Sequence, residues 1–574
     1  MSTDGGRPQP AAAGPASVLA ASRPPALRAA LALARVEGVR LLRQPLVWLA
    51  SAVILWQWVA EQVADDPAGR HPALQRADTE TQTMLLLLAA AALVAANLAA
   101  LRAHRHGTED LARTLPLPQW LRTLGHLLSV LPVALLGALL AGGRIAQLAT
   151  LPGAVGRPDP VELATGPVLV VLGGALGVLL ARRSRSALAA PLAVLLLTGS
   201  LYVVDGLGYS GGYGGYAARY LWLGLHVPQT WSWRSPAPAD LLGRPAGWHL
   251  AYLAGIVLLV AVAALLRAGG PRWRLRGVAA ATLAATVLAG SAQLRPPAGL
   301  EDRRAAAVER PAGLQVCQRR GPATYCVFPE FARRAGDWDR TVQAILRRVP
   351  AGTAPPLVVR QQLDPAEVYT DPGLLDALVL TQREANRRAG TATAITLGTS
   401  WGDEQELTLA TTVAFRVAGS PARKDPDAGG DTVPSTEPSA EACGAPAVVA
   451  LWLAAQASPG TTRAVRAAVA DAAASLQAFL AQALPGETHT SADVPGIFLW
   501  TGGTFNAPDI DFGHHEAALA AALLDRPADQ VGQALRRHWR ELSSTATSSA
   551  RAAELLAVRL PAGDPLARAA PRSC

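Results

Sequence analysis

The stretch GTSWG at 398–402 has the G-x-S-x-G spacing of a nucleophile elbow, where a sharp strand-to-helix turn exposes a serine hydroxyl for acyl transfer. Ser400 would be the nucleophile. The apolar TATAITL before it supplies a strand, but DEQELTLATTVAF after it reads as another strand, not the helix an elbow needs. His489, His514, His515 and His538 lie downstream, with nothing in the sequence to position one of them as a base. A β-turn is the better reading of Ser400. GHHEAAL at 513–519 begins like a zinc-binding H-E-x-x-H helix, yet Leu519 stands where the second histidine is needed. His514 and His515 are therefore expected to cap or flank a surface helix, and no metal site is expected. DID at 509–511 lacks the Gly and Glu of a calcium loop and reads as a turn. Nucleotide hydrolysis would need a lysine at the end of a glycine-rich loop. The one lysine, Lys424, sits in PARKDPDAG without the glycines. The expectation is a chain that is not an enzyme and holds no cofactor.

The elements around these motifs say more. Half of the 574 residues are hydrophobic, and the mean hydropathy is +0.22, a positive value that points to a membrane-embedded part. The formal net charge of +9 comes from scattered arginines rather than a nucleic-acid-binding motif, so no nucleic acid partner is expected. Residues 1–25 are Pro, Ala, Gly and Ser without period and read as disordered. From 26 to 44, Leu27, Leu31 and Ala34 share a helical face with Arg28 and Arg35 beside it. That is the pattern of a helix in the headgroup layer, or of an extension of the next span. Pro45 should end or kink it.

Seven apolar stretches follow, near 46–60, 81–101, 124–143, 162–181, 186–204, 248–266 and 277–294. Each approaches the roughly 20 residues needed to cross the hydrocarbon layer, where backbone groups satisfy one another only as helix or closed barrel. With the N-terminus inside, three short cytoplasmic loops hold eleven arginines, among them Arg102, Arg105, Arg113, Arg122 and the RRSR at 182–185. The longer outer loops hold seven, and the first also carries Glu61, Asp65, Asp66 and Asp78. Residues 295–574 then form an extracytoplasmic domain, which contains all four cysteines, in a compartment where disulfides persist. LQVCQRRGPATYCVF reads as a hairpin closed by Cys317–Cys326, while the pairing of Cys443 and Cys574 stays open. Residues 419–446 read as a flexible, Pro-rich segment; AVVALWLAAQ reads as core; helical patterns occupy 461–484, 514–525, 528–541 and 550–558. The outer segment 205–247 carries seven Tyr and Trp residues between 209 and 233, suited to an interfacial belt or a re-entrant gate. The expected fold class is mainly α: a polytopic membrane helix bundle of about seven spans (26–294) with a C-terminal extracytoplasmic α+β domain (295–574).

Between the second and third spans lies RHGTEDLARTLPLPQWLR. Thr108 can cap a short helix whose first turn holds Glu109 and Asp110, with Leu111 and Leu115 on one face and Pro116 at its end. Gly107 permits a tight entry. This loop, with ARVEGVRLLRQPLVWL at 35–50, resembles the ABC-2 class of exporter permeases over roughly 26–267. The resemblance implies that Gly107, Thr108, Glu109, Asp110, Leu111, Leu115 and Pro116 form a coupling loop docking on a separate ATP-binding subunit. It further implies permeases paired as a homodimer or heterodimer, in a bacterial cell membrane, exporting an amphipathic or lipid-like cargo such as a peptide, antibiotic or lipid. That family has six spans, so the seventh span and the outer domain depart from it. The alternative is a membrane-anchored extracytoplasmic binding, sensor or degenerate peptidase-like protein.

Overall fold

The computed structural model describes residues 23–63, 71–108, 117–210, 237–295, 297–363, 384–419, 440–482, 497–498, 510–560 and 566. Helix α1 (Arg23–Leu42) stops three residues before Pro45, which opens α2 (Pro45–Val63). Proline is suited to a first helical turn because the amide it lacks has no partner there. Helices α3 (Leu74–Ala100), α4 (Arg102–Arg105), α5 (Gln119–Leu128), α6 (Leu131–Ala149) and α7 (Pro160–Arg183) follow. The series continues with α8 (Ala189–Ser210), α9 (Ala246–Arg267) and α10 (Arg272–Gln293). Among the described residues, six segments are long and apolar enough to cross a membrane: α2, α3, the α5–α6 pair, α7, α9 and α10. That is the build of a multi-pass helical membrane protein. The stretch expected near 186–204 is helical in α8, with an apolar part, Ala189–Ser200, shorter than the other six.

The bundle is assembled around α3 and α7. A Cβ placed on Gly173 or Gly177 would overlap the carbonyl oxygens of Ala89 and Leu93, so the two backbones touch. Such a small-xxx-small pair suits a solvent where burying leucine gains nothing and close packing decides association. Asn97 Nδ2 donates to the Gly177 carbonyl oxygen at 3.2 Å, adding a hydrogen bond across the pair. Helices α2 and α10 are peripheral and show large apolar side chains outward, Trp56 at 73% and Trp273 at 74% exposed. Those faces fit lipid.

The C-terminal part begins with strands β1 (Val316–Arg320) and β2 (Ala323–Val327), the expected antiparallel hairpin, in which Cys317 faces Cys326 and the two are bonded. Gly321 turns the corner at φ 58°, a backbone angle that glycine adopts without steric cost. Then come α11 (Arg334–Leu346), β3 (Leu357–Gln361), β4 (Ile395–Leu397) and α12 (Asp403–Val417). β2, β3 and β4 are parallel, and α11 carries the chain from β2 to β3. The stretch DEQELTLATTVAF, expected as a strand, is α12. Its alternation of Leu407, Leu409 and Val413 with threonines also fits a helix buried around most of its circumference.

Strand β5 (Ala440–Ala442), α13 (Gly444–Ala455), α14 (Pro459–Gln482), β6 (Ile497–Phe498), β7 (Ile510–Phe512), α15 (His514–Leu524) and α16 (Ala528–Arg537) complete the main elements. Of the segment expected to be flexible, 419–446, residues 440–446 fall in β5 and the start of α13 and 420–439 lie outside the described residues; the DID stretch enters a strand rather than a turn. All twelve residues of α13 are buried, as expected for AVVALWLAAQ, and one core joins it to Trp338, Val413, Phe512 and Leu519. Cys443, just before α13, is disulfide-bonded; Cys574 lies outside the described residues.

Replacing Gly177 by Val should prevent α3 and α7 from closing. Thermal unfolding of the detergent-purified protein should show a lowered midpoint, whereas Gly142→Val, at an open position, should leave it nearly unchanged.

Candidate functional site

Polar chemistry collects at the two ends of the bundle. At the arginine-rich end, α1 lays its small residues Ala30, Ala34 and Gly38 against the bundle, and a Cβ on Gly125 of α5 would lie 3.1 Å from the Ala30 oxygen. Leu27 and Leu31 point outward instead, 52% and 50% exposed, beside exposed Arg28 and Arg35. Ala34 therefore does not share their face as expected. Small residues go to the helix contact, and leucines go to the surface that lipid can cover.

Glu37 is buried on the inner face of α1. Both of its carboxylate oxygens accept from Arg102 Nη1 at 3.0 Å, and Arg40 Nη1 donates to Oε1 at 2.7 Å. Arg102 opens α4, so this pair ties α1 to the far end of α3 just where the loop leaves it. The exit is a defined stop. Gly107 has φ 65°, its amide bonds to the His104 oxygen at 3.2 Å, and the Thr108 amide bonds to the Ala103 oxygen at 2.9 Å. This is a Schellman motif. Thr108 Oγ1 also donates to the Ala103 oxygen at 3.3 Å. Arg105 still belongs to α4, so a loop helix cannot start before Thr108. Glu109, Asp110, Leu111, Leu115 and Pro116 lie outside the described residues. The described chain resumes at Leu117 and enters α5 through Pro118 in extended backbone.

At the other end, the loops before α3, α7 and α9 come together. Asp78, the fifth residue of α3, and Glu162, on the first turn of α7, are both buried. Arg244 Nη1 reaches both, 3.1 Å from Asp78 Oδ1 and 2.9 Å from Glu162 Oε2. Thr79 Oγ1 donates to Glu162 Oε1 at 3.0 Å, and the Asp159 amide donates to Asp78 Oδ2 at 3.1 Å. Asp159 in turn caps α7 by accepting from the Val161 amide at 2.8 Å. One guanidinium thus faces two carboxylates, and the hydrogen bonds around them share out the excess negative charge. Nearby on α6, Arg144 meets Glu61 of α2 at 2.8 Å and lies over the Trp58 ring. Only the acidic side chains of the first outer loop signalled this in the sequence; Arg144 and Arg244 looked like ordinary loop arginines.

The C-terminal domain sits on this end. The loop residues Ala73 and Val155 bridge as neighbouring strands do. Arg334, fully buried at the start of α11, donates to the His71 oxygen at 2.7 Å and the Gly153 oxygen at 2.8 Å. Burial brings the Arg334 guanidinium down to about 10, while Asp337 opposes that shift. Glu330 accepts from the Ala239 amide at 2.9 Å, and Arg304 Nε donates to the Leu241 oxygen at 3.0 Å. A small apolar core containing Ala73, Val155, Leu241, Phe328 and Phe331 closes the junction.

The motifs that suggested catalysis are placed as well. Ser400 does stand between a strand and a helix, the order an elbow needs. However, among the described residues Ala557 alone carries a non-glycine positive φ, so Ser400 lacks the strained backbone of that turn. His514 is buried and His515 Nδ1 lies 3.0 Å from Ser549 Oγ; Leu519 is core. α15 is an interior helix, not the surface helix expected. Burial lowers the pKa of His515.

No protein-family model, no curated protein and no solved structure matches the chain. Its function is therefore argued from these two ends.

The polar cluster gives a test. Arg244→Leu leaves Asp78 and Glu162 buried without their cation, and should destabilise the protein by about 3–5 kcal/mol. The triple change Asp78→Leu, Glu162→Leu, Arg244→Leu should cost less than the single one. Thermal unfolding of both proteins in the same detergent decides; a triple variant worse than the single would remove the ion-pair account.

Proposed function

We propose that this chain is the membrane-spanning permease subunit of an ABC-type exporter, driven by a separate ATP-binding subunit and acting as a pair of permeases. The observation that carries the reading is the loop end of the bundle. α4, which follows α3 directly, is stopped at Gly107, the described chain resumes before Pro118, and the Glu37–Arg102 pair links that exit to α1. A push on the loop from a soluble motor would move α1, α3 and α5 together. The arginine-rich flanks of α7 and α10 support placing this end in the cytoplasm. The absence of a P-loop in the sequence supports a motor on another polypeptide.

Seven crossings fit the reading better than six. α7 ends at Arg183 on the loop end, whereas Ala237 receives a hydrogen bond from Gln75 Nε2 on the domain end, which favours a return crossing by α8. α8, at about 1.5 Å per residue, covers roughly 33 Å of that distance. The C-terminal domain then lies outside, over the end where Asp78, Glu162 and Arg244 meet. An export path ending there would deliver an amphipathic or lipid-like cargo beneath the docked domain. The rival, a bundle that only anchors an outer domain, gives no role to charges buried inside the anchor.

Orientation is tested by adding protease to intact cells. The domain from Leu300 onward should be cut there and protected in inverted vesicles; the reverse pattern would remove the seventh crossing. Coupling is tested with Leu111→Ala combined with Leu115→Ala. Membranes carrying this variant should pull down less of the ATPase and lose transport while the spans still insert, since truncating buried interface leucines can cost about 2 kcal/mol or more. Glu109→Ala alone should do less, with an effect that depends on salt. A double variant that keeps both binding and transport would reduce the loop to a connection between spans.

A further inference from the structure

The domain has a second charged feature, unrelated to its docking face. The end of α11, the turn before α14 and one face of α16 enclose a cleft of about 780 Å³. Four arginines line it, Arg347, Arg348, Arg463 and Arg536, with Asp529 as the acidic group among the lining residues. Arg348 lies 3.2 Å from that aspartate, which is itself 93% exposed, so the pair neutralises little. Arg347, Arg463 and Arg536 make no ion pair with any described residue. Three guanidinium groups facing one cavity repel each other, and a fold has no packing reason to gather them. The turn before α14 adds a wall rather than a ligand set, because the Ser458 oxygen already accepts from the Thr461 amide at 3.1 Å.

We propose that this cleft binds a multiply charged phosphate-bearing anion. Guanidinium groups present paired donors that match phosphate oxygens, and several of them together suit a group carrying more than one negative charge. The volume falls in the range of small-molecule sites and exceeds that of a bare ion, so the phosphate belongs to a larger molecule. Ala344, Ala457 and Pro459 supply apolar wall for its remainder. The site lies thirteen residues along α11 from Arg334, roughly 20 Å from the contact with the bundle. It is a separate site from the junction and does not depend on the exporter reading.

The experiment titrates inorganic pyrophosphate into the full-length protein in neutral-lipid nanodiscs at low salt, followed by calorimetry. Saturable binding is expected, weakening as sodium chloride is added. The double variant Arg463→Gln, Arg536→Gln should bind roughly tenfold more weakly or worse, since each lost charged hydrogen bond removes a substantial share of affinity. Its unfolding midpoint and its Cys317–Cys326 bridge should match those of the unmodified protein. Competition separates two sources of the phosphate: displacement by a water-soluble short-chain phosphatidic acid points to a lipid headgroup, and displacement by glycerol phosphate alone to a free metabolite. No saturable binding up to about 10 mM, which would leave under about 3 kcal/mol of affinity, overturns the proposal. So does unchanged affinity in the double variant, or sulfate binding as tightly as pyrophosphate.

Discussion

The backbone-to-backbone contact of α3 and α7 is the constraint from which the rest of the membrane part follows. Gly173 and Gly177 let the two helices approach until their main chains touch, and no side chain fits between them. Because the pair is close, Asp78 and Glu162, each near the start of its helix, end up within reach of a single guanidinium. The same closeness brings the loops before α3 and α7 side by side, where they form the seat for Arg334 and the C-terminal domain. A packing decision made mid-membrane thereby fixes where the polar chemistry sits at its edge.

The two ends of the bundle treat charge differently. At the loop end, buried Glu37 pairs with half-buried Arg102, and α1 and α10 carry exposed arginines. At the domain end, charges are buried, shared among neighbours and covered by protein. Exposed arginines anchor helices at headgroups, whereas covered ones hold elements in one arrangement as long as every partner stays in place.

Much of this was legible from the residues because the membrane imposes strong rules. Long apolar runs had to be helices, and all seven fall in helices; the Cys317–Cys326 hairpin and the buried AVVALWLAAQ core follow from spacing and composition alone. The failures came where tertiary context decides. DEQELTLATTVAF has threonines and alternating apolar residues that favour a strand locally, but burial on nearly all sides makes it a helix. α1 misled for the opposite reason: in lipid, leucines mark the outside and alanines the contact. The junction was hidden because its members, Arg244, Asp78, Glu162 and Arg334, lie up to 256 residues apart in the chain, each ordinary in its own neighbourhood. The four arginines of the cleft were hidden in the same way.

Helix α13 carries a consequence for how the protein is made. It is wholly buried, and its neighbours are α12 and α14 on one side and α15 and the helix Ser549–Leu555 on the other. Twelve residues span only about 18 Å, so this segment is too short to cross the hydrocarbon layer and be sheltered there. It must instead wait, apolar and uncovered, until about a hundred further residues have emerged, since closure needs contacts distant in sequence. The domain's core therefore closes late and as one cooperative unit, and until then the growing chain is exposed to aggregation and proteolysis.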